Sequence, residues 1–290
     1  MLTLVLGHAG QPIAPHDLWR AWNLDVPLLV GFALAVWAYS RGRLGAGRRG
    51  NVEALRARCF AGALAVVAVA LVSPLDALSG VLASAHMAQH VLLLLVAAPL
   101  LAVSSPGAAL LRGAPTSVRQ ATGWSRRRFG LTPAHLRPLR NPAAVWALHV
   151  AMIWFWHAAV AYDAALDNHF VHVAQHASYL VTGLWFWQVV LSARRAVSNG
   201  LGILLVFTMA MQSVFLSALL TFASAPWYSG YESTTQAWKL TPLADQQLAG
   251  VIMWIPAGLI YLGVAIALLA RWISAAERDA VTQPALRAGP

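Results

Sequence analysis

Long apolar stretches alternate with short polar segments along this sequence. A helix needs about 20 mostly apolar residues to span a membrane, because unpaired backbone groups are too costly in lipid. The stretches that meet this requirement are Asp25–Ser40, Leu55–Ser73, Ala83–Val103, Pro142–Ala161, Phe170–Leu191, Gly200–Phe222 and Gln247–Trp272. The pattern predicts an all-α polytopic membrane protein, a bundle of seven transmembrane helices.

The polar segments divide the rest of the chain. Residues 1–24 form a segment before the transmembrane domain of residues 25–272, and residues 273–290 form a tail. Two connections are long, residues 104–141 and residues 223–246. The first is rich in arginine and suits an interfacial amphipathic helix. The second is rich in tryptophan and tyrosine, which suits either a lid folded onto the bundle or an aromatic belt at the interface.

The positive charges predict the orientation. The chain has 20 lysines and arginines, and all except Arg20 and Lys239 fall in alternate connections and the C-terminal tail. Cationic residues accumulate on the cytoplasmic side. The N-terminus and the loop of residues 223–246 are therefore predicted to be outside, and the loop of residues 104–141 and the C-terminus inside. The short apolar start has no basic n-region and is only a weak match to a cleaved signal peptide.

Composition agrees with lipid as the solvent. The chain has 290 residues, of which 59% are hydrophobic and 10% charged, whereas soluble domains contain about 25% charged residues. A net charge of +10 would suggest nucleic acid for a soluble protein. That partner is not expected, because the arginines lie in short segments between spans. Cys59 is the single cysteine, so neither a disulfide nor a thiolate cluster is expected.

The histidines gather on the predicted outer side. His86, His90, His157, His172 and His176 fall in the outer parts of spans three, four and five, and His8, His16 and His169 lie in outer segments. His149 is deeper and is interpreted as structural. His135 alone lies in an inner loop. Ionisable groups within a bilayer are costly and usually functional.

Two pairs of histidines share one spacing, HMAQH (His86, His90) and HVAQH (His172, His176). Positions i and i+4 lie on one helical face, with Cβ atoms about 6 Å apart, so both imidazoles can reach one cation. With His157 from the intervening helix they predict a metal site. Hydrogen bonding between helices is the alternative explanation. Gln89 and Gln175 could support the histidines or join helices.

Imidazole ligands suit copper, zinc and iron rather than magnesium or calcium. Met211 and Met253 could add thioether ligands if they face the interior, but methionines at helix contacts usually serve packing. Met87 is one residue beyond His86 and therefore points about 100° away from it on an ideal helix. The three methionines are left out of the predicted site.

Asp245 is the remaining polar candidate, in the run DQQLAG at the outer entry to span seven. It could orient an imidazole, as carboxylates around metal ligands do, or bind the metal directly. It could equally be the N-cap of its own helix. A role at the metal site and a role as a cap are compatible, and both remain open.

Several segments resemble one family, in order and over nearly the whole chain. SAHMAQHVLLLLVAAPLLA, WFWHAAVAYDAAL, HVAQHASYLVTGLWFW, DQQLAGVIMWIPAGLIYL and the N-terminal GQPIAPHDLWRAWNLD are similar to the multispanning CtaG family of bacterial cytochrome c oxidase assembly factors. The resemblance implies a seven-helix protein of the bacterial plasma membrane, with oxidase subunits as partners and copper delivery or insertion as its role. It places the family's histidine motifs on His86, His90, His157, His172 and His176 and its acidic motif on Asp245, and His8 matches only loosely.

The favoured hypothesis is therefore a non-catalytic assembly factor or metallochaperone that holds copper at an outward-facing site. A haem-binding redox protein and a copper permease are the alternatives, and zinc or haem iron are the other candidate metals. The sequence contains no G-x-S-x-G and no H-E-x-x-H, which are common signatures of enzymes. The G-x-G-x-x-G spacing of residues 45–50 lies in an arginine-rich connection between two predicted spans, so it is not the dinucleotide fingerprint, which follows a strand and opens a helix. A homo-oligomer is compatible with everything above.

Overall fold

The computed structural model describes residues 13–44, 50–130, 141–191 and 198–287, and in these residues it is all-helical, as predicted. Its α-helices are α1 (Val26–Leu44), α2 (Asn51–Leu71), α3 (Pro74–Ser79), α4 (Ala83–Val91), α5 (Ala98–Ser104), α6 (Gly107–Gly113), α7 (Thr116–Arg128), α8 (Pro142–His157), α9 (Ala159–Asp167), α10 (His169–Leu191), α11 (Asn199–Thr221) and α12 (Pro242–Arg287). A π-helical turn, Leu92–Ala97, joins α4 to α5.

Four helices in the described part of the chain are long and apolar enough to cross a membrane: Asn51–Leu71, Ala83–Ser104, Asn199–Thr221 and Pro242–Glu277. The bent pair α8 and α9 makes a fifth if it counts as one span. The other two predicted spans are helical, as α1 and α10, but arginines near the end of α1 and histidines in α10 lower their hydropathy. The protein is thus a multi-pass membrane protein, while seven spans and the orientation remain predictions.

The predicted fourth span ends earlier than expected. The chain bends by 71° between α8 and α9, because Ala158 is in an extended conformation (φ −65°, ψ 131°). His157 is therefore the last residue of α8, and its backbone carbonyl has no partner within that helix. In contrast, α12 continues past Trp272, the predicted end of span seven, to Arg287.

The third span contains a proline that its neighbours accommodate. The last turn before α5 is π-helical, with i→i−5 bonds such as that from Ala98 to Leu93. The next bond of this pattern would run from the backbone N–H of residue 99 to the carbonyl of Leu94, but residue 99 is a proline and has no N–H. The indole of Trp187 on α10 donates to the Leu94 carbonyl instead, at 2.8 Å. Such turns often occur at functional sites, and this one follows the first histidine pair directly.

The largest group of buried side chains packs α4, α5, α8, α10, α11 and α12 around a common core. Large apolar residues on the outward faces are exposed, among them Phe207, Phe215, Leu259 and Ile266. Such apolar faces mark contact with a membrane or a partner. In the predicted inner loop, α7 is a helix with no buried residue and four arginines, Arg119, Arg126, Arg127 and Arg128, and its place in the membrane interface stays a prediction.

Candidate metal centre

Three of the predicted ligands form a group. One ring nitrogen each from His86, His172 and His176 lies within 4.8 Å of the others. Because two nitrogens bound to one ion at about 2.0–2.1 Å are at most roughly 4 Å apart, small ring rotations would let all three share a cation. His86 and His176 are buried and His172 is half-buried. We call these residues the three-histidine group.

The helical spacing explains this arrangement. The rings of His172 and His176 on α10 have centroids 4.3 Å apart, as expected for i and i+4 on one face. The ring of His86 on α4 lies 5.4 Å from that of His172 and 5.8 Å from that of His176. The packing of α10 against α5 and the π-helical turn, which continue α4, therefore brings the two predicted motifs together.

His86 is held from two sides. Its Nε2 lies 3.2 Å from Oε1 of Gln175, and its Nδ1 lies 3.3 Å from the hydroxyl of Tyr231. Gln175 thus supports an imidazole, one of the two roles considered for it. Gln89 has the other role and joins helices, since its amide donates to the Ala70 carbonyl at 2.6 Å and to the Asp76 carboxylate at 3.0 Å.

His90 and His157 continue the row of imidazoles away from the three-histidine group. The His90 ring is 4.4 Å from the His86 ring, and the His157 ring is 6.1 Å from the His90 ring. Both are buried. The five predicted ligands therefore form a contiguous row, and their rings do not all surround one point.

Several imidazole nitrogens in this row lack a partner among the described residues. Both nitrogens of His90 are buried without one there, as are Nε2 of His157 and Nε2 of His176. Nδ1 of His157 lies 2.7 Å from the Ile153 carbonyl, so it carries the proton and Nε2 of the neutral ring presents a lone pair. A buried polar atom without a partner costs about 1–3 kcal/mol. These unpaired nitrogens fit a bound cation.

Asp245 acts on the site through the backbone. Its carboxylate is fully buried and accepts bonds from the Ala83 amide at 2.6 Å, from the Ser84 amide at 3.2 Å and from the Ser84 hydroxyl. It thereby caps α4, whose first turn contains His86. The N-cap interpretation for its own helix is wrong, because α12 begins at Pro242 and the Thr241 hydroxyl accepts from Ala244.

The loop between α11 and α12 folds onto the histidines. Tyr228 and Tyr231 in this loop are buried. The Tyr228 hydroxyl donates to the carbonyl of His157 at 3.2 Å, and the Tyr231 hydroxyl donates to the carbonyl of Ser79 at 3.0 Å. Burial raises the pKa of both phenols above the ordinary value, so both remain protonated donors. These contacts fit a lid, and we call residues 223–241 the lid loop.

The lid loop is fastened by a carboxylate on α9. Asp163 accepts a bond from the Ser229 hydroxyl at 2.7 Å and bonds from the backbone amides of Ser229 and Gly230. Beside it, the ring of Tyr162 stacks on Tyr228 with centroids 3.8 Å apart. The bend at Ala158 directs α9 toward the loop and so makes both contacts possible.

Two buried tyrosines belong to the site but were not predicted. Tyr179 lies 4.6 Å from the His90 ring, and Tyr162 lies 4.9 Å from the His86 ring. Tyr179 is three residues after His176 on α10, so helical spacing could have identified it. Tyr162 follows the bend after α8, and no local signal in the sequence places it beside His86.

The other histidines lie apart from this row. His149 is buried, its Nδ1 is 2.9 Å from the Thr182 hydroxyl and its ring stacks on Phe186, as expected for a structural residue. The side chain of His16 is 79% exposed and that of His169 is 58% exposed. His8 and His135 lie outside the described residues.

The fold and this site define a class: a multi-pass helical membrane protein with a row of buried imidazoles beneath an aromatic loop. The model of the cytochrome c oxidase caa3 assembly factor family (Caa3_CtaG) matches residues 30–275. The chain belongs to this family, which confirms the resemblance seen in the sequence. The family is described as one of assembly factors for cytochrome c oxidase.

Curated relatives are more distant. The chain is 27% identical over 276 residues to an uncharacterized protein of Mycobacterium bovis and, equally, to one of Mycobacterium tuberculosis. The alignments cover 90% of this chain but only 41% of each relative. The chain thus spans about two fifths of the length of these relatives. No solved structure matches it significantly.

Proposed function

We propose that this protein binds copper at the three-histidine group and delivers it to cytochrome c oxidase during assembly. The observation that carries the proposal is the convergence of nitrogens from His86, His172 and His176 within 4.8 Å of one another. The family supplies the oxidase as the client. Copper is then the cargo of the protein rather than a resident cofactor, and the activity of the protein is to bind and release it.

The donor set supports copper. Three imidazoles form a neutral nitrogen site of the kind that suits copper, zinc and iron, and copper is the one of these metals that we propose as the cargo. When a cation binds one ring nitrogen of His86, the bond at that nitrogen is replaced. The bond at the other nitrogen, to Gln175 or Tyr231, remains and fixes the ring, as partners of metal-bound histidines usually do.

The lid loop supports a carrier rather than a channel. It shields the three-histidine group from the predicted outer side, and its opening would expose His172, which is half-buried, to the imidazoles of a client protein. A permease needs polar groups through the full thickness of the bilayer. On the predicted inner side of the row, the imidazole of His149 is hydrogen-bonded to the Thr182 hydroxyl, so we do not assign it to a transport path.

The direct test is metal analysis of full-length protein purified in detergent, before and after loading with copper. We expect bound copper near one equivalent or more, with imidazole nitrogen couplings in the EPR spectrum of the Cu(II) form. A strain without the protein is expected to accumulate oxidase deficient in copper. Protein that binds no copper in either oxidation state would refute the proposal.

The same preparation tests the alternatives. A reduced-minus-oxidised spectrum with a sharp b-type α band would indicate haem, although the cavity beside His90 has a volume of only about 30 Å³, against roughly 300–1,000 Å³ for typical organic ligand sites. Accumulation of radioactive copper inside proteoliposomes would indicate a permease. We expect binding without accumulation.

The lid loop should control the rate of copper exchange. Asp163→Ala removes the acceptor of the bonds from Ser229 and Gly230 and should speed copper transfer to a chelator several-fold, with little effect on affinity. Stopped-flow measurements of chelation give the rate. Asp167→Ala on the same helix is the control, because its carboxylate makes none of these bonds. Equal rates in the Asp163 variant and the wild type would contradict a gating role.

A further inference from the structure

A small cavity continues the row of histidines toward the membrane centre. Its volume is about 30 Å³, and its lining includes Met87, His90, His157, Ser213, Met253 and Tyr261. A water-sized guest needs about 10–15 Å³, so the cavity can hold a single small ion. It lies among α4, α8, α11 and α12, one helical turn beyond His86 on α4.

The chemistry of the lining favours a soft cation. Met87 and Met253 are both buried and present thioethers, which suit Cu(I). Met87 is three residues before His90, so the two are neighbours on the surface of α4, whereas Met87 points about 100° away from His86. Within the part of the chain that the structure describes, both nitrogens of His90 and Nε2 of His157 have no hydrogen-bond partner.

The charge of the lining favours a monovalent cation. Among the described residues that line the cavity, none carries a carboxylate, a thiol or a cationic group. Burying an ion in a medium of low dielectric constant has a cost that rises with the square of its charge, and it needs compensating ligands. A site of neutral imidazoles and thioethers therefore accepts Cu(I) with less cost than a divalent ion.

We propose that His90, His157, Met87 and Met253 form a second, deeper site specific for Cu(I). The proposal rests on the proposed function, since it assumes that the three-histidine group receives copper. His90 joins the two sites, because its ring lies 4.4 Å from that of His86 and 5.4 Å from that of His176. Cu(I) can thus move between the sites by exchange of imidazole ligands, without a change of oxidation state, and the deeper site stores this ion away from water.

The test uses full-length protein in detergent, loaded anaerobically with Cu(I) alone. We expect two equivalents per chain and a sulfur contribution in the copper K-edge EXAFS. The double substitution Met87→Leu and Met253→Leu nearly conserves volume and should remove the sulfur contribution and lower Cu(I) affinity at this site at least tenfold. Cu(II) binding, read by EPR at the three-histidine group, should not change. Met211→Leu is the matched control, since Met211 is 47% exposed.

The outcomes separate the two proposals. Wild-type protein that binds Cu(II) through imidazoles but shows no sulfur with Cu(I) overturns the second site alone. A sulfur contribution that survives the double substitution also overturns it. Protein that binds neither oxidation state refutes the proposed function together with the second site. The wild-type spectrum decides the question even if the double variant fails to fold.

Discussion

The double substitution His172→Ala and His176→Ala is expected to lower Cu(II) affinity by more than about 100-fold. The loss of a residue that merely supports a metal ligand costs about 10–100-fold, and this variant removes two of three ligands and leaves only His86. Both positions are on α10, where alanine suits the helix, so the protein should still insert and fold. Titration followed by EPR measures the effect.

The control for this variant lies on the same helix. His169→Ala removes an imidazole from the first turn of α10, but that side chain is 58% exposed and its Nε2 lies 3.9 Å from the carboxylate of Asp25. We expect wild-type affinity from it. Copper bound through imidazoles at wild-type affinity in the double variant would exclude α10 from the site and leave the proposed function without its main support.

Asp245→Ala should destabilise the protein and weaken copper binding together. The variant leaves the amides of Ala83 and Ser84 and the Ser84 hydroxyl without their acceptor. Bonds to charged groups contribute about 1.5–3 kcal/mol each, and loss of a cap about 0.5–2 kcal/mol, so a decrease in the free energy of unfolding on the order of 3 kcal/mol is expected. Copper affinity should fall about tenfold or more, on the scale for lost supporting partners, because His86 lies in the first turn that the carboxylate fixes.

Thermal unfolding in detergent and copper titration measure these effects. Asp17→Ala is a suitable control, since the side chain of Asp17 is 58% exposed. Asp245→Asn keeps one acceptor oxygen and should lie between the wild type and the alanine variant. If the Asp245→Ala variant had the thermal stability of the wild type but bound no copper, the carboxylate would be a ligand rather than a cap, and its assignment as a cap would be wrong.

Much of this architecture could be predicted from the sequence because it depends on local properties. Apolar stretches predicted the helices, and α10 (His169–Leu191) begins one residue before the predicted Phe170, although α12 extends beyond both of its predicted ends. The spacing HxxxH placed each pair of imidazoles on one helical face, whatever else surrounds it. The family could also be recognised, since its motifs are short and contiguous.

Other properties depended on how distant segments meet. Asp245 caps a helix that begins 162 residues earlier in the chain, and the bend at Ala158 directs Tyr162 toward the lid loop. Helix spacing placed Met87 away from His86 but did not show that Met253 lies across from it in the same cavity.

The sequence by itself therefore determined the apolar helices, the family and the candidate imidazoles, since helix formation in lipid and helical periodicity involve residues within a few positions of each other. Only the tertiary structure decided which of those imidazoles lie close enough to bind one ion, which side chain caps α4 and which loop covers the site. Those outcomes follow from the crossing of helices and from one break in a span, and packing over long separations in sequence leaves no periodic trace along the chain.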